Sequence, residues 1–368
     1  MTATLSRREL NRATLERQFL LRRTDRPATE VLARLAGLQA QTPHTWYIGF
    51  QSRMEDFDPH EVGRLLTDGA LVRMSLMRST LHLVSAEDAA WMRPTTQEVM
   101  ERDLAHGSHG RATAGVDRDE VVALGRKILE ERPLTPKELG EQIGARWEGV
   151  DGADLAYVVR CLLPVVQLPP RGVWGASGQP VLAPADTWTG LPPAPGPDPG
   201  ALVLRYLAGF GPASVRDVQA WSGMTRTKAV VDGLRERLVS FRDDSGTELF
   251  DLPDAPRPEA DAPAPVRFLY DFDNLLRGHA DRSRVVSREN LSRLSARNGM
   301  PPATVLVDGE VAASWRVDRS RSTPALDVTP FRAFNSSENE EITEEGERLL
   351  AFLFPEDEDA RLRFTLPA

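Results

Sequence analysis

A run of helices followed by a glycine-bounded pair of strands recurs three times along this 368-residue chain, and that recurrence restricts the fold more than any one segment does. In the first copy, Ser6-Arg7-Arg8-Glu9 is a capping box opening a helix that buries Leu10, Leu15 and Phe19 and ends near Arg23. Thr29–Leu38 is the second helix, with Val31, Leu32, Leu35 and Leu38 on one stripe. Asp58-Pro59-His60-Glu61 starts a third, with Val62, Leu65 and Leu66 inward and Gly69 as its stop. Leu71–Val84 then alternates as two strands. The second copy has helices over Asp117–Glu131, from the cap Thr135-Pro136-Lys137-Glu138, and over Asp151–Val166, with strands around the glycines of Arg171–Leu182. After the Pro/Gly-rich linker Leu191–Gly200 come helices over Ala201–Ala208, Ser214–Trp221 and Thr225–Arg237, then a hairpin, Leu238–Leu252, turning at Asp243-Asp244-Ser245-Gly246. Helices closed by a hairpin make a winged helix, a variant of the helix-turn-helix.

Beyond a second Pro-rich joint, Pro253–Pro265, the pattern changes. Val266–Phe272 reads as a strand, Thr304–Val317 as a hairpin with an Asp308-Gly309 turn, and Leu326–Phe331 as one more strand, which together suggest a small barrel or curled sheet. Glu338–Phe354 reads as a surface helix. The expected fold class is therefore α+β: three tandem winged-helix motifs (1–110, 111–190 and 198–253) and a C-terminal small β-barrel with an acidic tail helix (264–368).

Composition narrows the class of protein. An apolar fraction of 41% and a charged fraction of 27% suit a globular protein, and no apolar run approaches the roughly 20 residues of a membrane span. The first residues lack the apolar core of a signal peptide, so the expected location is the cytoplasm. The single cysteine, Cys161, lies in an apolar helix and reads as a packed thiol. A net charge of −9 looks hostile to nucleic acid until it is located: ten acids and only Arg348 lie between Glu338 and Ala360, so the rest of the chain is neutral. Outside that tail a charge argument does not exclude DNA.

The stretch Leu38-Gln39-Ala40-Gln41-Thr42-Pro43 stands at a change of conformation. Pro43 cannot continue the preceding helix and pushes Thr42 towards extended chain. Residues two apart point about 200° away from each other on a helix but share a face on a strand. If the helix frays near Gly37, the two carboxamides can converge on one small object such as a water or a sugar; two ordinary polar residues at a helix end is the alternative.

Other chemistries have less support. Asp271 and Asp273 have the spacing of a strand-borne carboxylate pair but lack the further oxygens a divalent cation needs, and the six histidines show no zinc spacing, so neither metal nor cofactor is expected. No phosphate loop or nucleophile elbow occurs. For DNA contact, Arg73 and Arg78 lie on the first hairpin beside His82, and Trp174 sits in the second wing. Arg277, His279, Arg282, Arg284, Arg288, Arg293 and Arg297 form a basic cluster, either a solvated surface or a track for phosphates.

Taken in order, Gly37-Leu38-Gln39-Ala40-Gln41, Met77–Val84, Phe272-Asp-Asn-Leu-Leu276 and Val307–Arg316 resemble the tandem winged-helix DNA glycosylases of the AlkZ/YcaQ type over nearly the whole chain. The likeness is to the AlkZ branch, because the second polar position is Gln41 and not the aspartate of the YcaQ branch. The resemblance implies a monomeric, C-shaped, cofactor-free enzyme with Gln39 and Gln41 as its catalytic pair. It further implies double-stranded DNA as partner, cleavage of N7-alkylated purines, and unhooking of azinomycin-type interstrand crosslinks that confers resistance to the natural product. The alternative from the repeated motif alone is a winged-helix transcription regulator, although nothing in the chain offers an obvious dimer helix.

Overall fold

The computed structural model describes residues 3–294, 299–320, 323–357 and 359–365. No helix among them is long and apolar enough to cross a membrane. Helices and three sheets make an α+β chain in which the expected turns and caps are largely present. Ser6 and Glu9 close a reciprocal capping box on the helix Arg7–Arg17, and Thr135 and Glu138 do the same on Pro136–Gly144. The first helix stops at Arg17, short of Arg23, where Phe19 turns left-handed at φ 56°.

The first hairpin pairs Leu71–Ser75 with Leu81–Ser85. It does not stand alone. Leu38–Gln39 adds on one side, and Val165–Gln167 with Leu182–Pro184 on the other, so the strands of the first two units merge into a single five-stranded sheet. The second hairpin thus differs from expectation. Its strands flank Arg171–Pro180 instead of lying within it, and the preceding helix, Gly152–Leu162, ends four residues early. Pro164 is the cause: it drives Leu163 into extended backbone, φ −97° and ψ 131°. In the third unit, Val239–Asp243 and Glu248–Asp251 form the expected hairpin, and Thr4–Leu5 adds to it as a parallel strand.

The C-terminal strands pair in the order Arg361–Phe364, Ala325–Pro330, Glu310–Asp318, Ala303–Val307, Arg267–Leu269. The Asp308-Gly309 turn has both residues at positive φ, 48° and 79°, as a tight hairpin needs. The first and last strands do not pair among the described residues, so the expected barrel is an open sheet. What closes it is the acidic helix, Ser336–Leu353. Gly346 lets that helix approach Leu362 and Phe268, which belong to the two edge strands, and Ile342, Leu349 and Leu350 are buried in the same core. The helix expected to be a surface feature is therefore a lid with one apolar face.

The N-terminal helix ties distant parts together. Arg17 forms an ion pair with Asp251 at 2.7 Å, both side chains wholly buried, and Asn11 donates to the carbonyls of Arg284 and Gly309. Cys161 is fully buried, and burial pushes its thiol up to about 11.

Candidate active site

The helix Ala28–Leu35 ends abruptly, with Ala36 at φ 55° and Gly37 at φ 87° both left-handed. A side chain at Gly37 would meet Val84 Cγ1 at 2.6 Å and the Leu83 carbonyl at 2.8 Å, so only glycine fits there. Two left-handed residues reverse the chain into extended backbone. Leu38 and Gln39 then pair with Leu83 and His82, and Ala40 N–H donates to the Leu81 carbonyl at 2.8 Å. The helix expected to reach Leu38 stops at Leu35, and the switch to strand comes earlier than Pro43 alone would impose. The strand covers Leu38–Gln39 only; beyond it Ala40 is wholly buried and Gln41 lies at a bend.

Both carboxamides are oriented by protein donors. Arg78 Nη2 donates to Gln39 Oε1 at 2.9 Å, and Leu81 N–H donates to Gln41 Oε1 at 3.3 Å. A guanidinium and a backbone N–H can only donate, so each amide oxygen faces its partner and the NH2 groups point elsewhere. Each Oε1 keeps a second lone pair, which leaves both side chains able to accept and donate. Gln39 is buried and Gln41 exposed.

A second segment, 230 residues away, holds this stretch in place. Asn274 donates from Nδ2 to the carbonyls of Leu35 and Gly37 and accepts from Gln39 N–H at 3.3 Å. Tyr270 OH donates to the Gln39 carbonyl at 3.1 Å. Asp271 accepts from Thr42 and Thr45 hydroxyls at 2.6 and 2.7 Å, while Asp273 pairs with the buried Arg53 at 2.7 Å. The two aspartates therefore serve different partners and do not share an ion. Among the described residues no group of three His, Cys, Asp or Glu side chains is placed to hold a metal. From sequence, Asp271 was weighed only as half of a metal-binding pair and Asn274 only as part of a family motif, and Tyr270 was not singled out; polar residues crowded into an apolar strand context were the available signal.

The residues expected to touch DNA separate into two groups. Arg73 is buried, donating to the Ala40 carbonyl at 3.0 Å, and burial together with Arg171 lowers its pKa to about 10. His82, 1% exposed, donates from Nδ1 to the Thr80 carbonyl at 2.8 Å; burial, with help from Arg78, lowers it to about 3, so it is neutral. A neutral ring facing a carbonyl donates Nδ1–H. His279 is likewise held at about 3 by burial and faces the Phe210 carbonyl at 2.9 Å, while Arg284 donates to Thr14 and the Pro212 carbonyl, both at 3.1 Å. Trp174 packs between Tyr47 and Phe352, with ring centroids 5.0 and 4.8 Å away. Arg73, His82, His279 and Arg284 are thus buried, and Trp174 is half-buried.

Arg78 sits at the hairpin turn in a left-handed conformation, φ 56°, followed by Ser79 at 59°. It bridges Gln39 to the Trp221 carbonyl of the third unit, and burial, reinforced by Arg277, lowers it to about 10. Arg277 is exposed and Arg282 half-exposed, so these two of the expected contacts are open to a phosphate near Gln39. Arg293 lies over the Phe331 ring at 5.3 Å, and Arg297 lies outside the described residues. Clefts of about 760 and 730 Å3 lie elsewhere, the second lined in part by Arg284; one of about 640 Å3 includes Trp174, Tyr270 and Asp271, and one of about 410 Å3 includes Gln41.

Two oriented carboxamides at a strand exit, beside Arg78 and the exposed Arg277, make a polar, cationic site that suits a polyanionic ligand such as nucleic acid. Residues 32–352 match the family described as DNA glycosylase AlkZ-like, and the chain belongs to that family; it is a DNA glycosylase. The interstrand DNA cross-link repair glycosylase of Streptomyces sahachiroi is 26% identical, the match covering 86% of this chain and 88% of that protein. The solved structure of Streptomyces sahachiroi DNA glycosylase AlkZ superposes with a TM-score of 0.81 at 20% identity, covering 98% of this chain and all of that one, which establishes a shared fold. Family membership sets aside the transcription-regulator alternative.

Proposed function

We propose that this glycosylase hydrolyses the N-glycosidic bond of N7-alkylated purines in double-stranded DNA, with Gln39 and Gln41 as the catalytic pair. The observation that carries the reading is the orientation of two neutral carboxamides, each fixed through its oxygen by a protein donor, with Gln41 opening on a cleft whose lining contains no carboxylate. N7-alkylation makes the purine cationic, so the leaving group departs without a proton and the sugar develops oxocarbenium character. Such a reaction needs a water held near C1′ and dipoles around it more than it needs an acid. Two amides supply that, accepting from and donating to one water, but a glutamine is a poor general base. The catalysis is therefore confined to bases activated in advance.

The reading extends to interstrand crosslinks, the substrate in the name of the Streptomyces sahachiroi relative, and to those formed by azinomycin-type agents. A base tied covalently to the opposite strand cannot rotate into a pocket as glycosylase substrates usually do. In this proposal the three helix–hairpin units act as winged helices of one monomer that straddles the duplex, and the lesion stays stacked while the glutamines reach the sugar. Arg277 and Arg282, beside Arg78, contact the backbone. The test is lesion range. Purified protein is expected to release N7-methylguanine from methylated duplex at least a hundredfold faster than neutral alkylated or undamaged adenine. Equal rates on charged and neutral bases would overturn the reading.

A further inference from the structure

The cleft that includes Gln41 lies where the first two hairpins join, and Arg73 and Gln167 are cross-strand partners there. Its volume is about 410 Å3, and Arg73, Arg160 and Arg171 line it with Tyr157. None of these arginines has a carboxylate partner among the described residues. Arg160 donates to the Ser79 carbonyl at 2.8 Å and lies over the Tyr157 ring at 4.8 Å; Arg171 donates to the Gly178 carbonyl at 2.9 Å. Arg73, 1% exposed, has a buried Nε with no partner at all. The acid behind Tyr157, Asp103, is occupied by the Tyr157 and Ser79 hydroxyls at 2.6 and 2.7 Å.

Arg17 and Arg53 are neutralised by Asp251 and Asp273, whereas Arg93 and Arg284 are buried against neutral oxygens alone, as Arg73 is. Arg73 is the buried member, with its Nε unpartnered, while Arg160 and Arg171 are half-exposed; together they give a cationic cleft beside Gln41 with no carboxylate in its lining, which an anion complements. Arginine's planar fork matches a phosphate oxygen pair. Neither Arg160 nor Arg171 was identified from sequence.

We infer that this cleft seats a backbone phosphate of the lesion-bearing strand, adjacent to the nucleotide whose glycosidic bond is hydrolysed at Gln39 and Gln41. The inference rests on the assignment of those glutamines as the catalytic pair, since Gln41 is what relates the cleft to the scissile bond. A phosphate held there fixes the position of the sugar along the groove while Arg277 and Arg282 hold the other side of the site.

The experiment steps a single neutral methylphosphonate across the phosphates flanking a tetrahydrofuran abasic analogue in duplex DNA and measures affinity by fluorescence anisotropy. The proteins are wild type, Arg171→Gln and Arg160→Gln/Arg171→Gln. At one position the neutral linkage is expected to weaken wild type about tenfold and the double variant less than twofold, because the charge it removes has lost its partner. The double variant should also lower the slope of log affinity against log salt by about one. Equal losses for wild type and variant at every position would overturn the proposal. Arg171→Gln carries the same test by itself, since that side chain bonds only a loop carbonyl. Inorganic phosphate at matched ionic strength should leave DNA affinity within twofold; selective displacement by it would make this a free-anion site and contradict the assignment to DNA. Gln39→Ala/Gln41→Ala protein separates the two readings. Normal excision by it would sink the catalytic assignment, whereas the methylphosphonate coupling reports on the cleft alone.

Discussion

At the scale of single residues, His82 shows how a polar side chain can matter to a site without touching the ligand. It is the cross-strand partner of Gln39, fully buried, and held neutral with a pKa near 3 by desolvation and by Arg78. A histidine whose folded pKa lies below its unfolded value of about 6.5 stabilises the fold fully above pH 6.5 and progressively less as pH falls towards 3, because the unfolded chain takes up the proton first. The expected slope is about 1.4 kcal/mol per pH unit from this residue. Urea denaturation at pH 7 and pH 5 checks it: His82→Asn, which can still donate to the Thr80 carbonyl, should flatten the difference by roughly one proton. An unchanged pH slope in that variant would show that the ring is not held neutral. From sequence, His82 and Arg73 read as groove-facing because hairpin residues in a winged helix often are. The sheet assembled from two units buries them, and no local pattern announces that merger.

At the scale of elements, the site is a helix-to-strand switch locked by a remote segment. Gly37 and Pro43 made the break legible in the sequence, and the Asp308-Gly309 and Asp243–Gly246 turns were legible for the same reason: glycine and proline act locally. The lock was not. Asn274 serves Leu35, Gly37 and Gln39 across more than 230 residues, and only the folded chain brings them together. The closure of the C-terminal sheet by a helix in place of strand pairing is equally non-local, as is the role of Glu345, which pairs with Arg23 on that helix's inner face. Two substitutions test the lock. Asn274→Ala strips partners from buried backbone groups and should cost roughly 3 kcal/mol of stability, with excision reduced beyond what lost folded protein explains. Gly37→Ala forces a Cβ into Val84 and a left-handed backbone, for roughly 2–4 kcal/mol. Denaturation midpoints within error of wild type for both variants would remove the lock from the account.

At the scale of the whole molecule, three units and an open sheet are bound by side chains that cross between them: Arg17 to Asp251, Arg78 to the Trp221 carbonyl, Arg53 to Asp273. In the proposed reaction that rigidity is what the glutamine pair relies on, since neutral amides contribute by position and not by strength. The net negative charge of the chain lies in the helix that caps the C-terminal sheet and in the acidic segment just after it, away from the arginines beside the glutamines. The proposed function gives grip on DNA and hydrolysis to different residues. The most direct test is single-turnover release of N7-methylguanine by Gln39→Ala/Gln41→Ala protein, measured beside its affinity for the same duplex. The account predicts excision at the spontaneous depurination rate with affinity within about threefold of wild type; release at the wild-type rate by that variant would contradict it.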